Sequence, residues 1–466
     1  MISSATGNGI EALKSSVRGA EAKDSQHFDW PLAYDAEKFL QQRIAEFLAL
    51  NSFARRLAER MRNETGTDFF EWIDHLVLAP EDEKTLREAG FIRNEGAETP
   101  AGEVVLFHPR ATLPRILIRA GQTQNPSVIA LRPEHVADFM ARHNLSEEID
   151  GAPFSRYRRL AVSEENGTRL EAVERRAYGG FIPTPLRPNQ LETIIKVQEM
   201  WKTRRRIFPQ DDEGFKAANR LLEQSIPLIG RDLTCQIVFE AERAYWESRN
   251  GAARVQKFRQ DQLGLGWGNH DHHTFRSSRE HFVDLIEFLL KLGFEKRERY
   301  YAGAEAGWGA QILEQAVVGI VVFADVDLMP DETGVDFSIN RLPPAPKLGT
   351  VGLWVGLHGE SFLDAGMHHL EARFDHQLLR EQLGEHGIQT MKPFSDFDFL
   401  RQAFTEGERW PVNRERAKRL LSAGLITPEQ FEQFTQEGAL GSHLENLQRH
   451  GGFKGFNQKS VSVIIA

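Results

Sequence analysis

The sequence contains a single cysteine, Cys235, in 466 residues. A lone thiol excludes an intrachain disulfide framework and a cysteine-based zinc site, and it fits a reducing, cytoplasmic setting. Long apolar runs are also missing. The longest, residues 316–324, has the length of a strand, against the roughly 18 residues that a membrane-spanning helix needs, so no membrane partner is expected. Residues 1–24 carry Gly, Ser, Ala and scattered charges without an apolar signal core, so export is not expected either. There is no basic excess: 57 Lys and Arg stand against 67 Asp and Glu, a net charge of −10. A protein that grips nucleic acid through its phosphates carries the opposite balance. The basic runs at 156–159 and 202–206 have acids nearby and read as solvated faces or as saddles against an acidic neighbour. No Gly-x-Ser-x-Gly elbow, P-loop or His-Glu-x-x-His occurs, which argues against hydrolase, NTPase and zincin readings. The glycine-rich 264–268 run leads into a histidine-rich strand pattern rather than a helix, so it is not a dinucleotide fingerprint.

What is present is an ordinary folded chain, 41% hydrophobic and 27% charged, long enough for two to four domains or one elaborated domain. Residues 1–34 read as a flexible leader. Residues 35–120 read as an amphipathic helix pair followed by strand, helix and three strands, a β-α-β-β-β unit that opens near His75. Residues 121–264 read as mostly helical. The strand-helix-strand pattern returns twice within residues 265–466, at 270–326 and at 366–393. Gly293 and Gly387 are placed to end the two helices as C-terminal caps. The predicted fold class is therefore α+β: repeated β-α-β-β-β modules pairing into a half-open sheet cup, with a helical mid-segment and C-terminal helices.

Nine of the 16 histidines fall between His270 and His386. Two clusters stand out, Asn269-His270-Asp271-His272-His273-Thr274-Phe275-Arg276 and Met367-His368-His369-Leu370-Glu371-Ala372-Arg373. Each opens a repeat and each sets an arginine four residues after a histidine. Alternation along a strand puts His272, Thr274 and Arg276 on one face, and His369, Glu371 and Arg373 on one face. Histidine and a cation on the same sheet face give a metal ligand beside an anion clamp. Two imidazoles and a carboxylate form the facial triad of non-haem Fe(II) enzymes, and Glu314, Glu371 and Glu406 are the candidate carboxylates. His75 lacks the following arginine, since Ala79 holds that position, and reads as a structural copy. Trp308 lies between two glycines where it can line a pocket or pack in a turn, and Asp325 and Asp327 sit at a strand end.

The 271–276 segment, the following helix with Leu292-Gly293-Phe294, and Tyr300-Tyr301-Ala302-Gly303 resemble the first half of the 2-oxoadipate dioxygenase/decarboxylase family. That family belongs to the vicinal-oxygen-chelate superfamily. The 368–373 segment with Gly387-Ile388 resembles its second half, and Phe404-Thr405-Glu406 resembles the segment carrying the carboxylate ligand. The likeness covers residues 265–456. It implies Fe(II) held by His272, His369 and Glu406, with Arg276 and Arg373 gripping substrate carboxylates. It also implies a 2-oxo (di)carboxylic acid and dioxygen as small-molecule partners, turned over to a 2-hydroxy acid and CO2. Other metal-dependent isomerases, lyases or ring-cleaving dioxygenases on the same scaffold would keep the ligands but not the clamps. In a non-catalytic binding protein the histidines would be structural.

Overall fold

A computed structural model describes residues 30–100, 102–119, 126–456 and 463–465; the expected leader lies outside these up to residue 29. Two helices come first, α1 (Tyr34–Leu50) and α2 (Ser52–Arg60). The Asn51 side chain between them accepts from Ala54 N at 2.9 Å and caps the second. A first module follows: β1 (Ile73–Leu78), α3 (Asp82–Glu88), β2 (Ile92–Arg93), β3 (Val104–Phe107) and β4 (Arg115–Ile118). A second module comprises β5 (Ser127–Leu131), α4 (Val136–Arg142), β6 (Tyr157–Glu165) and β7 (Thr168–Arg175). Together they form a seven-stranded sheet, β2-β3-β4-β1-β5-β7-β6. Each opening strand pairs in parallel with its module's closing strand, and the two opening strands pair antiparallel with each other.

The 121–264 stretch is thus helical only in its second half. Its first half is this second module, which the sequence reading did not anticipate. Val128–Leu131 is buried on both faces, so it shows none of the apolar–polar alternation that marks a half-exposed strand. The helices of the second half are α5 (Gln190–Lys202), α6 (Asp211–Ile229), α7 (Arg231–Ser248) and α8 (Gly251–Asp261).

The same construction then recurs. The third module is β8 (His270–Arg276), α9 (Phe282–Lys291), β9 (Glu295–Tyr301), β10 (Trp308–Gln315) and β11 (Ile320–Asp327). After α10 (Thr350–His358) the fourth module runs through β12 (His369–Arg373), α11 (His376–Glu385), β13 (Ser395–Phe397) and β14 (Leu400–Phe404). Its closing strand was expected near residues 403–410. The chain instead leaves the sheet there through β15 (Arg409–Trp410), α12 (Arg414–Ser422), α13 (Pro428–Glu437) and β16 (Ala439–Leu440), and closes with β17 (His443–Arg449). Residues 388–393 contribute one isolated bridge, Thr390 to Thr405, rather than the expected strand. With β18 (Val463–Ile465) the second sheet has nine strands, β13-β14-β17-β12-β8-β11-β10-β9-β18.

One face of this sheet packs on α5–α7 and α9 through a core that includes Phe239, Phe275, Phe282 and Phe288, all fully buried. Each such side chain contributes about 1.5–3 kcal/mol relative to exposure. The helical layer is tied down by charge as well. Glu242 on α7 is fully buried and meets Arg204 Nη2 at 2.9 Å and Arg206 Nη2 at 2.8 Å, so the 202–206 basic run is a saddle over an acid. Against the burial that would raise it, the two guanidiniums hold the Glu242 carboxyl below its ordinary 4.5.

Removing one partner of a buried pair leaves the others uncompensated, so Glu242→Ala is expected to cost about 3–5 kcal/mol in denaturant unfolding. Because the folded carboxyl is the stronger acid, its contribution is fully present above the ordinary value of 4.5 and falls away as pH drops through the depressed folded value. The parent should therefore lose stability on acidification more steeply than Glu242→Ala, with urea midpoints measured across the acid range as the check.

Candidate metal centre

The second sheet's free face is built around the antiparallel seam between β8 and β12. Their register sets Glu371 opposite His272 and His369 opposite Thr274, with a bulge after Glu371. The parallel pairing of β12 with β17 sets Glu445 opposite Glu371. Alternation then turns His272, His369, Glu371 and Glu445 to one side, where they line a cavity of about 250 Å³ with Thr274, Tyr300, Phe323 and Asp325. Their neighbours His273, Leu370 and Leu444 point to the core, all fully buried. One ligand atom from each of the four converges within 4.8 Å, and all four residues are buried.

The contacts around them bring imidazole nitrogens and carboxyl oxygens face to face. Asp271 Oδ1 lies 3.1 Å from His272 Nδ1, which orients the ring with its Nε2 facing the cluster. That Nε2 abuts Glu371 Oε2, an oxygen with no hydrogen-bond donor of its own. His369 Nε2 lies 3.1 Å from Glu445 Oε2, and its other nitrogen is 2.9 Å from His368 Nδ1. Gln402 Nε2 donates to Glu371 Oε1 at 2.6 Å and to Glu445 Oε1 at 3.2 Å. Burial, followed by the charge of Glu445, pushes the Glu371 carboxyl well above its usual range. Burial also raises Glu445, to about 8, and with Arg276 lowers His369 to about 3. Two buried carboxyl groups facing two imidazole rings are the donor set that suits a divalent cation.

Asp271 is held in turn. Against its burial, Arg449 at 2.9 Å, together with His272 and Arg373, keeps its carboxyl well below the ordinary value. An ionised Asp271 fixes the orientation of His272.

Of the expected site residues, His272 and His369 both lie in the cluster. Glu406 does not reach them: it lies exposed in the loop after β14, where its backbone N–H donates to Gln389 O at 2.9 Å. The 411–438 excursion displaces the closing strand, so its carboxylate is Glu445 and not Glu406. Sequence reading missed Glu445. The alternation in Ser442-His443-Leu444-Glu445-Asn446-Leu447 was the available signal. Glu371, an alternative at the sequence level, stands in the cluster. Glu314 lies elsewhere on β10, paired with Lys454 at 2.9 Å.

Arg276 and Arg373 part company. Arg373 turns away and pairs with Asp271 at 3.0 Å and Glu71 at 3.7 Å. Arg276 extends over the Trp354 ring at 5.7 Å, and no ion pair joins it to another described residue. Burial lowers its pKa to about 10, against the pull of Asp325 and Asp327, so it stays charged at neutral pH. Asp325 on the cavity wall is raised by burial to about 7, opposed by Arg276. Trp308 lines the cavity, and Asp327 caps α10 by accepting from Gly349 N at 2.7 Å and Val351 N at 3.0 Å. His75 in the first module is spent on Asp74 at 2.7 Å and the Phe181 ring. Among the described residues no third ligand joins it.

Glu445→Gln and His369→Ala are each expected to cut the uptake of one divalent ion per chain at least tenfold, the loss typical of a removed support or ligand. Glu406→Gln should bind as the parent does, and elemental analysis after loading and desalting is the check.

No family model matches the chain, and no curated protein matches it in sequence. Solved structures resemble it weakly. A protein assigned to the glyoxalase superfamily from Ralstonia eutropha JMP134 is 12% identical, covering 57% of this chain and 96% of that one, with a TM-score of 0.32. A mutant 4-hydroxymandelate synthase from Streptomyces coelicolor is 14% identical over 83% and 94%, with a TM-score of 0.27. Methylmalonyl-CoA epimerase from Mycobacterium tuberculosis is 12% identical over 39% and 88%, with a TM-score of 0.23. The α+β fold with its repeated modules is read from this chain's own strand order and pairing.

Proposed function

We propose that this chain is a non-haem Fe(II)-dependent dioxygenase that decarboxylates a 2-oxo dicarboxylic acid such as 2-oxoadipate. The reaction consumes one dioxygen and yields CO2 and the 2-hydroxy acid one carbon shorter, which balances both oxygen atoms. The observation that carries this reading is the pairing of a two-His carboxylate cluster with Arg276, a buried guanidinium that forms no ion pair with a described residue and whose charge acts on His369 and on Asp325 of the cavity wall.

His272, His369 and Glu445 would hold the metal, with Glu371 as a further donor or as the acceptor of a proton. When bound, Fe(II) would supply open coordination positions and reversible one-electron chemistry toward dioxygen, the 2-oxo acid being the net reductant. The rest is done by the chain. The planar Arg276 fork suits a carboxylate with two parallel hydrogen bonds, and its place beyond Thr274 on β8 suits the distal end of a dicarboxylate. Phe323, Phe394 and Phe404 on the cavity wall exclude water and match a methylene chain. A second reading, a metal-dependent isomerase or lyase, draws on the presence of two carboxylates where the triad needs one, since the spare one would serve as a base.

Oxygen consumption by the Fe(II)-loaded protein with a panel of 2-oxo acids separates the two readings. Uptake with 2-oxo dicarboxylates supports the dioxygenase, and none with any member of the panel overturns it. Arg276→Lys should retain its metal and raise KM for the dicarboxylate about 10- to 100-fold, the loss expected when a charged bidentate hydrogen bond is removed. A parental KM would remove Arg276 from the binding role.

A further inference from the structure

A second cavity, of about 280 Å³, lies between the two sheets, away from the histidine cluster. Its walls come from the ends of β1, β4, β5 and β7 on one side, and from the start of β8, the β10–β11 turn and the end of β12 on the other. Four arginines line it, Arg115, Arg132, Arg175 and Arg373, against two carboxylates, Asp74 and Glu71. Asp74 is consumed by Arg175, at 2.7 and 2.9 Å, and by His75 at 2.7 Å, with Arg115 at 3.5 Å. Burial, opposed by Arg373, raises the Glu71 carboxyl to about 7, so it is only partly ionised at neutral pH.

Arg132 is the odd member. No side-chain hydrogen bond or ion pair joins it to another described residue, although burial disfavours its charge. Its guanidinium lies against Gly319, where a Cβ would come within 3.7 Å of Nη1. The backbone around it is fixed: Arg132 N donates to Trp72 O at 2.7 Å, and Gly268 passes so close to the Arg132 carbonyl that any side chain there would collide. Thus a rigid strand end presents a cation without a direct ion pair, felt by Asp74 but opposed by Arg175, Arg243 and Arg373, to a cavity already rich in cations. Confined guanidiniums of one sign repel, and an oxyanion accepting from several of them at once removes that cost.

We propose that this cavity is a binding site for a small dianionic oxyanion, a phosphate or a short dicarboxylate, with Arg132 as its principal donor and Arg115 as the second. It is separate from the metal centre and does not depend on the reading given for that centre. One residue nevertheless links the two sites: Arg373 lines this cavity and also holds Asp271, the partner of His272.

The test is calorimetric titration of the full chain with inorganic phosphate and, separately, with malonate, at constant ionic strength. Expected is saturable binding of at least one of them, one per chain, weakened at least tenfold in Arg132→Gln and partly restored in Arg132→Lys. The stronger of the two anions identifies the source of the oxyanion. Arg276→Lys, at the metal centre, should leave this binding unchanged, which keeps the outcome independent of the proposed dioxygenase activity. Should Arg132→Gln fail to fold, Arg115→Gln reads the same loss. Absence of saturable binding of both anions overturns the proposal, and so does binding that survives both Arg132→Gln and Arg115→Gln or that is lost in Arg276→Lys.

Discussion

The pairing of β8 with β12 is the contact on which the rest of the site depends. Two modules, each beginning with a histidine-bearing strand, meet through those strands in antiparallel register, and the register sets His272 against Glu371. A slip of one residue would turn every one of these side chains into the aromatic core on the other face. That face is densely packed, with Phe275 and Leu370 fully buried, so hydrophobic burial enforces the register and polar convergence follows from it. The pairing of β12 with β17 then adds Glu445 with no further adjustment.

Such a cluster is costly unless its ligands are aimed and its charges compensated. Asp271 does the aiming, and it is held ionised by Arg449 and Arg373. Arg373 reaches in turn to Glu71, just before the first strand of the first sheet. The histidine–carboxylate cluster is therefore braced from the other sheet, and the same arginine borders the cationic cavity between the sheets. The first sheet has the same module plan without the chemistry. There the corresponding histidine, His75, is enclosed by Asp74, Arg175 and Phe181, a satisfied ion-pair network in place of an open donor set.

The two arginines that follow the histidines show how far strand alternation can be trusted. Both were placed by the same offset. Arg276 follows an unbroken strand and keeps its side chain near the cavity. Arg373 follows the bulge after Glu371, which rotates the strand and delivers the guanidinium to Asp271. Bulges re-aim side chains without leaving a mark in the sequence pattern.

The sequence by itself determined the module plan around residues 73, 272 and 369, the helical layer from 190 to 261, and the two histidines of the cluster. Each of these is carried by a local rule: strand alternation, helical spacing or a glycine cap. Only the tertiary structure decided the carboxylates. Glu445 lies 39 residues beyond Glu406, and which of them closes the sheet depends on whether the chain leaves it after β14. That choice is settled by long-range strand pairing, which leaves no local signature. The doubly buried β5 module escaped for the complementary reason, since a strand covered on both faces has no polar side to reveal its period. The arginine-lined cavity belongs wholly to the fold, because its four cations come from four distant strands and acquire a common field only when the two sheets meet.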